Sequence, residues 1–287
     1  MKRYSAQLLA NPGAEIGECP LADAADGLYW VDIPAGVIWR THIASGKSIR
    51  YVYGHPIGAV TLRAAGGLAF AAGSGFYGLA QFGEPPVEIA RAFDDTGLQF
   101  NDGKADPWGR FIAGAACIDG SRGRAALYAL ECDRTVVPLV NGVTMSNGLD
   151  WTSDRRRFYY VDTPLQRLDF FDVDPQTGTL LERHRFVEIP ASLGMPDGLV
   201  VDAEGCVWVA VWGASAVLRF TPEGRQVAHV VVPVRYPTSC AFGGKDRTTL
   251  LITTAAWPHG GTVEPNAGGL FAVSVAAVGQ AARLFGG

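Results

Sequence analysis

Six short β-prone runs that begin alike and recur at a near-constant interval constrain this chain more than any other feature. They are Leu28-Tyr29-Trp30-Val31-Asp32, Leu68-Ala69-Phe70-Ala71-Ala72, Phe111-Ile112-Ala113-Gly114, Phe158-Tyr159-Tyr160-Val161-Asp162, Val207-Trp208-Val209-Ala210 and Leu250-Leu251-Ile252-Thr253-Thr254. Their starts lie 40, 43, 47, 49 and 43 residues apart, the period of a four-stranded propeller blade. Most follow a turn signal, as at Gly66-Gly67, Trp108-Gly109 and Glu204-Gly205, and helical periodicity is scarce, so the chain reads as all-β.

The expected architecture is a six-bladed β-propeller with four-stranded blades around a central metal-containing channel, one domain over residues 1–287. The N-terminal segment Tyr4 to Leu9 is expected to close the ring on the last blade, because a radial fold is weakest at an unpaired edge. The second blade carries the least defined strands, since Ala64 to Phe82 is rich in Gly and Ala. Two stacked sandwich domains are the competing fold, and they offer no reason for six similar repeat starts.

Composition narrows the partners. A formal charge of -4 with no Lys/Arg block gives nucleic acid or an anionic membrane no electrostatic handle, so neither is expected as a partner. The N-terminus lacks a signal-like apolar core and no segment has membrane-spanning length, which leads to an expectation of a cytoplasmic protein, monomeric or weakly self-associating. The five cysteines, Cys19, Cys117, Cys132, Cys206 and Cys240, are widely spaced without CxxC pairs, arguing for scattered free thiols. The histidines show no ligand spacing and are read as surface or packing residues, with His259 in a Gly-rich loop the exception to watch. Trp30, Trp39, Trp151 and Trp208 fall in strand-like runs and are read as inter-blade packing, whereas Trp212 and Trp257 follow strands and are expected at the pocket rim.

Within this frame, Asn101-Asp102-Gly103, Asn147-Gly148 and Asp197-Gly198 recur about one repeat apart. Taken singly, Asn-Gly and Asp-Gly are ordinary hairpin-turn dipeptides. As repeats of a ring they occupy equivalent places and converge on its axis, where amide and carboxylate oxygens suit a hard divalent cation. Each is expected just ahead of an inner strand, facing the channel mouth. Glu18, in Gly17-Glu18-Cys19-Pro20, adds a carboxylate from the first repeat. Cys19 is expected to point away from the ion, and Asp202-Ala203-Glu204-Gly205 to be an exposed turn.

These motifs resemble the senescence marker protein, gluconolactonase and regucalcin family of six-bladed propellers. The matching text includes Ile16-Gly17-Glu18-Cys19-Pro20, Phe100-Asn101-Asp102-Gly103-Lys104, Ser146-Asn147-Gly148-Leu149-Asp150-Trp151, Pro196-Asp197-Gly198 and Ala267-Gly268-Gly269-Leu270-Phe271, in family order over nearly the whole chain. The resemblance implies that Glu18, Asn147 and Asp197 bind one divalent metal (Ca²⁺, Mg²⁺, Mn²⁺ or Zn²⁺), with Asn101 beside it directly or through water. It also implies that Asp197 accepts the proton of an attacking water, and that the reaction opens a small lactone, an aldonolactone by analogy, to its hydroxy acid. A cation that polarises an ester carbonyl and activates water needs no separate nucleophile, and the chain has no Gly-x-Ser-x-Gly elbow.

The substrate shell departs from the family pattern. Gln99 stands where family sugar lactonases often carry Arg, and supplies hydrogen bonds without charge or a bidentate fork. Ile118 then Asp119 replace an acidic pair, leaving Asp119 as the carboxylate for a substrate hydroxyl, and the loop from Asp119 to Arg124 is short. Gln99, Asn101 and Asp119 are therefore the candidate substrate-binding residues, with Asp197 and Asn101 the candidate catalytic ones. Two other readings stand beside the lactonase: another chemistry on the same metal platform, such as phosphotriester hydrolysis or a biosynthetic ring reaction, and a propeller that binds calcium or a peptide without turnover.

Overall fold

The computed structural model describes residues 1–287 and is a closed ring of six antiparallel sheets. Blade 1 runs outward through Gly17–Ala22, Gly27–Asp32, Val37–His42 and Ser48–Val52. The inner strands of blades 2 to 6 are Ile57–Leu62, Leu98–Ala105, Ser146–Trp151, Met195–Val201 and Pro237–Gly243. Neighbouring inner strands pack beside one another all the way round and enclose the axis.

The six runs that announced the fold are the second strands, buried on both faces between blades. That double burial explains why they read as continuous apolar text rather than as alternation. Blade 2 is fully formed: Leu68–Ala72 and Gly75–Leu79 are strands, and Ala69, Phe70, Ala71 and Phe76 are wholly buried. Its small residues belong to a tightly packed core; β-propensity alone undervalues them.

Ring closure on the last blade agrees with the expectation for one half of the N-terminal segment and differs for the other. The N-terminal segment is divided between two blades. Gln7–Ala10 supplies the outer strand of blade 6, against Leu270–Ser274, while Lys2–Ser5 adds a parallel fifth strand to blade 5 against Gln226–Val231. Ala6 is the buried pivot between them. The sixth blade is thus built from both ends of the chain, which removes the free edge.

The C-terminal tail crosses the end of the channel opposite the site described below. Gly279 bridges to Asp202 of blade 5, Arg283 donates to Asp150 of blade 4, and Phe285 bridges to Arg63 of blade 2. Phe285 is wholly buried, packing near Phe111. The predicted packing roles of Trp30, Trp39, Trp151 and Trp208 agree with their burial, and all five cysteines are free, Cys132 alone exposed.

Candidate metal and substrate site

Every inner strand carries a break in its pairing register near its first residues: Glu18/Leu21, Ile57/Ala59, Phe100/Asp102, Asn147/Leu149, Pro196/Leu199 and Pro237/Ser239. A bulge re-aims the side chain at that point. Six equivalent positions result, filled by Glu18, Gly58, Asn101, Asn147, Asp197 and Thr238. The polar motifs therefore lie inside the inner strands at bulges, neither ahead of them nor in hairpin turns.

The glycines of these motifs have a steric cause. A Cβ on Gly148 would lie 2.5 Å from the Asp197 carbonyl oxygen, and one on Gly198 would lie 2.0 Å from the Ser239 Oγ. On Gly58 it would lie 2.2 Å from the backbone of Phe100. Successive inner strands approach so closely at the ring that only glycine fits at these places.

Glu18, Asn147 and Asp197 are buried, and Asn101 is half-buried at the mouth side. The carboxyls of Glu18 and Asp197 interact with each other, and the Asn147 amide acts on Asp197. Asn147 is oriented by its second turn of contacts: its Nδ2 donates to the Thr163 Oγ1 at 3.1 Å, which in turn donates to the Pro196 carbonyl at 2.9 Å. With the amide nitrogen so held, the Asn147 Oδ1 is left buried without a partner, and the Asp197 Oδ1 is likewise buried and unpartnered. Thr238 is closed off, donating to the Gly17 carbonyl at 2.5 Å and so tying blade 6 to blade 1. Asn101 donates from Nδ2 to the Ser146 carbonyl at 2.8 Å.

The electrostatics call for positive charge. Burial, then the Asp197 and Asp102 carboxylates, push Glu18 well above the usual carboxylate range. Burial, then Asp102, do the same to Asp197. Asp102, which the repeat argument treated only as motif text, is buried and pushed up to about 6, chiefly by burial, with Lys104 opposing. Lys104 lies deeper, donating to the Leu199 carbonyl at 3.3 Å and pairing with Asp150 at 3.3 Å. Orphaned buried oxygens beside raised carboxyls cost free energy that a cation would relieve. An all-oxygen donor set of two carboxylates and an amide fits a hard divalent ion.

Below the ring the channel narrows to a cavity of ≈ 10 Å³ beside Cys19, Asp102 and Lys104, room for about one water. Cys19 lines this constriction, its Sγ directed at the Gly103 carbonyl at 3.2 Å. The floor beneath is covered by Gln280 to Arg283 of the tail. A substrate can enter only from the mouth.

Two substrate candidates sit differently from one another. Gln99 lies on the blade 3 inner strand opposite Ala116, half-buried, two residues from Asn101. Asp119 is exposed and engaged: it accepts from the Ser121 Oγ at 2.6 Å and from Arg124 at 2.5 Å, while Arg124 also donates to Asp95 at 2.5 Å.

Two other features draw the eye as sites. Asp202, Glu204 and Cys206 have ligand atoms close together, yet Arg219 already pairs with both carboxylates, and Asp202 also accepts from Trp208 Nε1 at 2.9 Å and from the Glu204 and Cys206 amides. These donors occupy the oxygens that a cation would need, and the cluster is a structural knot. It also corrects the reading of Asp202 as part of an exposed turn: the turn exists, but the Asp202 carboxylate is wholly buried. A concavity of ≈ 860 Å³ lies on the opposite face between blades 4 and 5. Its carboxylates are engaged by neighbours, as Asp172 is by His184 at 3.0 Å.

Fold and site together define a six-bladed propeller with a buried ring of oxygen donors at one mouth. The chain belongs to the family described as the SMP-30/Gluconolactonase/LRE-like region, whose model matches residues 16–256. It is 35% identical to regucalcin of Sus scrofa over 285 residues, 96% of this chain and 95% of that one. It is also 35% identical to a Bacillus subtilis protein named "Putative sugar lactone lactonase YvrE" over 291 residues, 98% of this chain and 99% of that one. Among solved structures, the fold matches a calcium-binding protein, regucalcin, from Agrobacterium tumefaciens with a TM-score of 0.91 at 24% identity, covering 99% of each chain.

Proposed function

We propose that the protein is a divalent-metal-dependent lactonase that hydrolyses a small lactone to its hydroxy acid. Glu18, Asn147 and Asp197 would hold the ion, and Asn101 would stand beside it. The observation that carries this reading is the pair of buried, unpartnered oxygens, Asn147 Oδ1 and Asp197 Oδ1, on adjacent inner strands of the ring that also carries the buried Glu18. Membership of the family and the name of the Bacillus subtilis relative support the reaction class. Oxygen-only ligation favours Ca²⁺, Mg²⁺ or Mn²⁺, with Zn²⁺ also within the range such donors hold.

When bound, the ion supplies Lewis acidity toward an ester carbonyl and toward water. The chain's own groups then divide the remaining work. Asp197 accepts the proton of the attacking water as the new C–O bond forms, and returns it to the ring oxygen as the lactone C–O bond breaks. Asn101 has its Nδ2 tied to Ser146, so its Oδ1 is left to orient water or a substrate hydroxyl. Gln99 adds a neutral hydrogen-bonding arm, and Asp119 reaches a substrate only by loosening from Arg124. Sugar lactones are the first class to test, given the names of the relatives.

The same oxygen set would also suit a propeller that binds calcium without turnover. Acid release measured with a pH indicator across a panel of lactones, before and after EDTA treatment, separates the two. Chelator-sensitive hydrolysis supports the lactonase; metal binding without acid release from any lactone leaves calcium binding alone.

A further inference from the structure

Beside its buried oxygens the mouth of the channel carries an aromatic and thioether wall on one flank. Met195 lies two residues ahead of Asp197 on the blade 5 inner strand, just before that strand's bulge, and pairs directly across the ladder with Trp212. Trp212 packs on Tyr236 at 4.6 Å and meets Trp257 edge-on at 5.9 Å. This wall runs from the inner strand of blade 5 to the loop after the second strand of blade 6. It ends in a Trp257 that is 49% exposed, with Met195 38% exposed. On the other flank, Met145 lies two residues ahead of Asn147, bridges to Ala116 and is 37% exposed, close in sequence pairing to the exposed Ile118.

The polar equipment of the same mouth is thin. Gln99 is uncharged, the Nδ2 of Asn101 is engaged with Ser146, Asp119 is pinned by Arg124 and Ser121, and on the wall itself His259 Nδ1 lies 3.4 Å from the Tyr236 hydroxyl while Arg235 stacks over the Tyr236 ring. A polyhydroxylated ring would lose water there and find few replacements, whereas an alkyl substituent would cover exposed thioether and indole surface. Resting on the lactonase reading above, we infer that Met195, Trp212, Tyr236 and Trp257 form a substrate subsite that selects lactones bearing an apolar alkyl substituent over polyhydroxylated ones. Tyr236 and Trp212 hold the wall; Trp257 and Met195 present the surface to the substrate.

The test compares kcat/KM of the metal-loaded protein for three six-membered lactones: δ-valerolactone, δ-decalactone and glucono-1,5-lactone. Each buried methylene is worth on the order of fourfold in binding, so δ-decalactone should exceed δ-valerolactone by at least about tenfold, mainly through KM, and should exceed glucono-1,5-lactone. Trp257→Ala, a change at an exposed position, should lower kcat/KM for δ-decalactone far more than for δ-valerolactone and so remove most of that preference. Equal rates for the two alkyl lactones, a preference for glucono-1,5-lactone, or a uniform loss across all three in Trp257→Ala would overturn the subsite. If none of the three is hydrolysed, the lactonase reading fails first. Saturable quenching of tryptophan fluorescence by δ-decalactone, lost in Trp257→Ala, would then still support the subsite, and its absence in the unmodified protein would sink it.

Discussion

The Thr163 hydroxyl accepts a hydrogen bond from the Asn147 Nδ2 at 3.1 Å and thereby fixes which end of that amide is left buried without a partner. Thr163 sits in a 3-10 turn, Thr163–Leu165, immediately after the second strand of blade 4, and its own proton goes to the Pro196 carbonyl one residue before Asp197. One hydroxyl thus links the proposed ligands of blades 4 and 5.

Replacing it tests that linkage. Thr163→Val keeps the shape and removes both hydrogen bonds. Metal affinity measured calorimetrically should fall by about 10–100-fold, the range typical of groups that orient a ligand from behind. Thr163→Ser should recover most of the affinity, and unchanged affinity in Thr163→Val would show that packing alone orients Asn147.

A second prediction concerns the spacing of the ring. Gly148→Ala places a methyl 2.5 Å from the Asp197 carbonyl oxygen and 2.7 Å from the Leu199 nitrogen, both backbone atoms that cannot swing aside. Overpacking of this kind costs about 1–3 kcal/mol. Denaturant melts should show that loss, and metal affinity should weaken with it because Asp197 must shift.

A third prediction follows from the tail. Arg283 Nη1 donates to the buried Asp150 at 2.6 Å, and Lys104 approaches the same carboxylate at 3.3 Å. Burial alone would raise the pKa of Asp150, but Lys104 and Arg283 outweigh it and hold the carboxyl below its usual range. A depressed folded-state pKa contributes stability that is present above the unfolded value, near about 3.9, and is lost as pH falls through the folded value. Arg283→Ala should therefore cost about 3 kcal/mol at neutral pH. The gap from the unmodified protein should shrink below pH of about 4, as measured by urea unfolding across pH. A cost independent of pH would mean that Arg283 acts through packing on Trp151.

A fourth prediction addresses the same tail through its apolar anchor. Phe285 is wholly buried in the core shared by blades 2 and 3. Phe285→Ala should destabilise by about 3–5 kcal/mol, while a lactone assay on the folded fraction should stay near normal, since the tail lies at the end opposite the mouth.

The ring was readable from the sequence because its second strands are buried on both sides and announce themselves as repeated apolar text, from Leu28 to Thr254. The candidate oxygens were readable as residue types, since Asn147 and Asp197 recur with glycine, but their setting was not. A bulge adds one residue to a strand and leaves no mark in composition, so the motifs were expected ahead of the inner strands and lie within them. The glycines looked like turn formers, whereas their cause is the neighbouring strand's backbone. Asp102 and Thr163 were silent because their roles depend on contacts across blades. Asp202 was misread as exposed because a turn motif does not reveal that Trp208 and Arg219 fold over its carboxylate. The division of the N-terminal segment between blades 5 and 6 was hidden for the same reason: strand pairing is a long-range property.

The central claim is that Asn147, Asp197 and Glu18 hold a divalent ion required for lactone hydrolysis. Calorimetric titration of chelator-treated protein with Ca²⁺, Mn²⁺, Mg²⁺ and Zn²⁺, run beside lactone hydrolysis for the unmodified protein and for Asn147→Ala and Asp197→Ala, tests it most directly. The predicted result is one metal bound per chain, hydrolysis that returns with the metal, and loss of both in each variant while circular dichroism shows the fold intact. Metal binding retained in both variants, or hydrolysis indifferent to chelation, would contradict it.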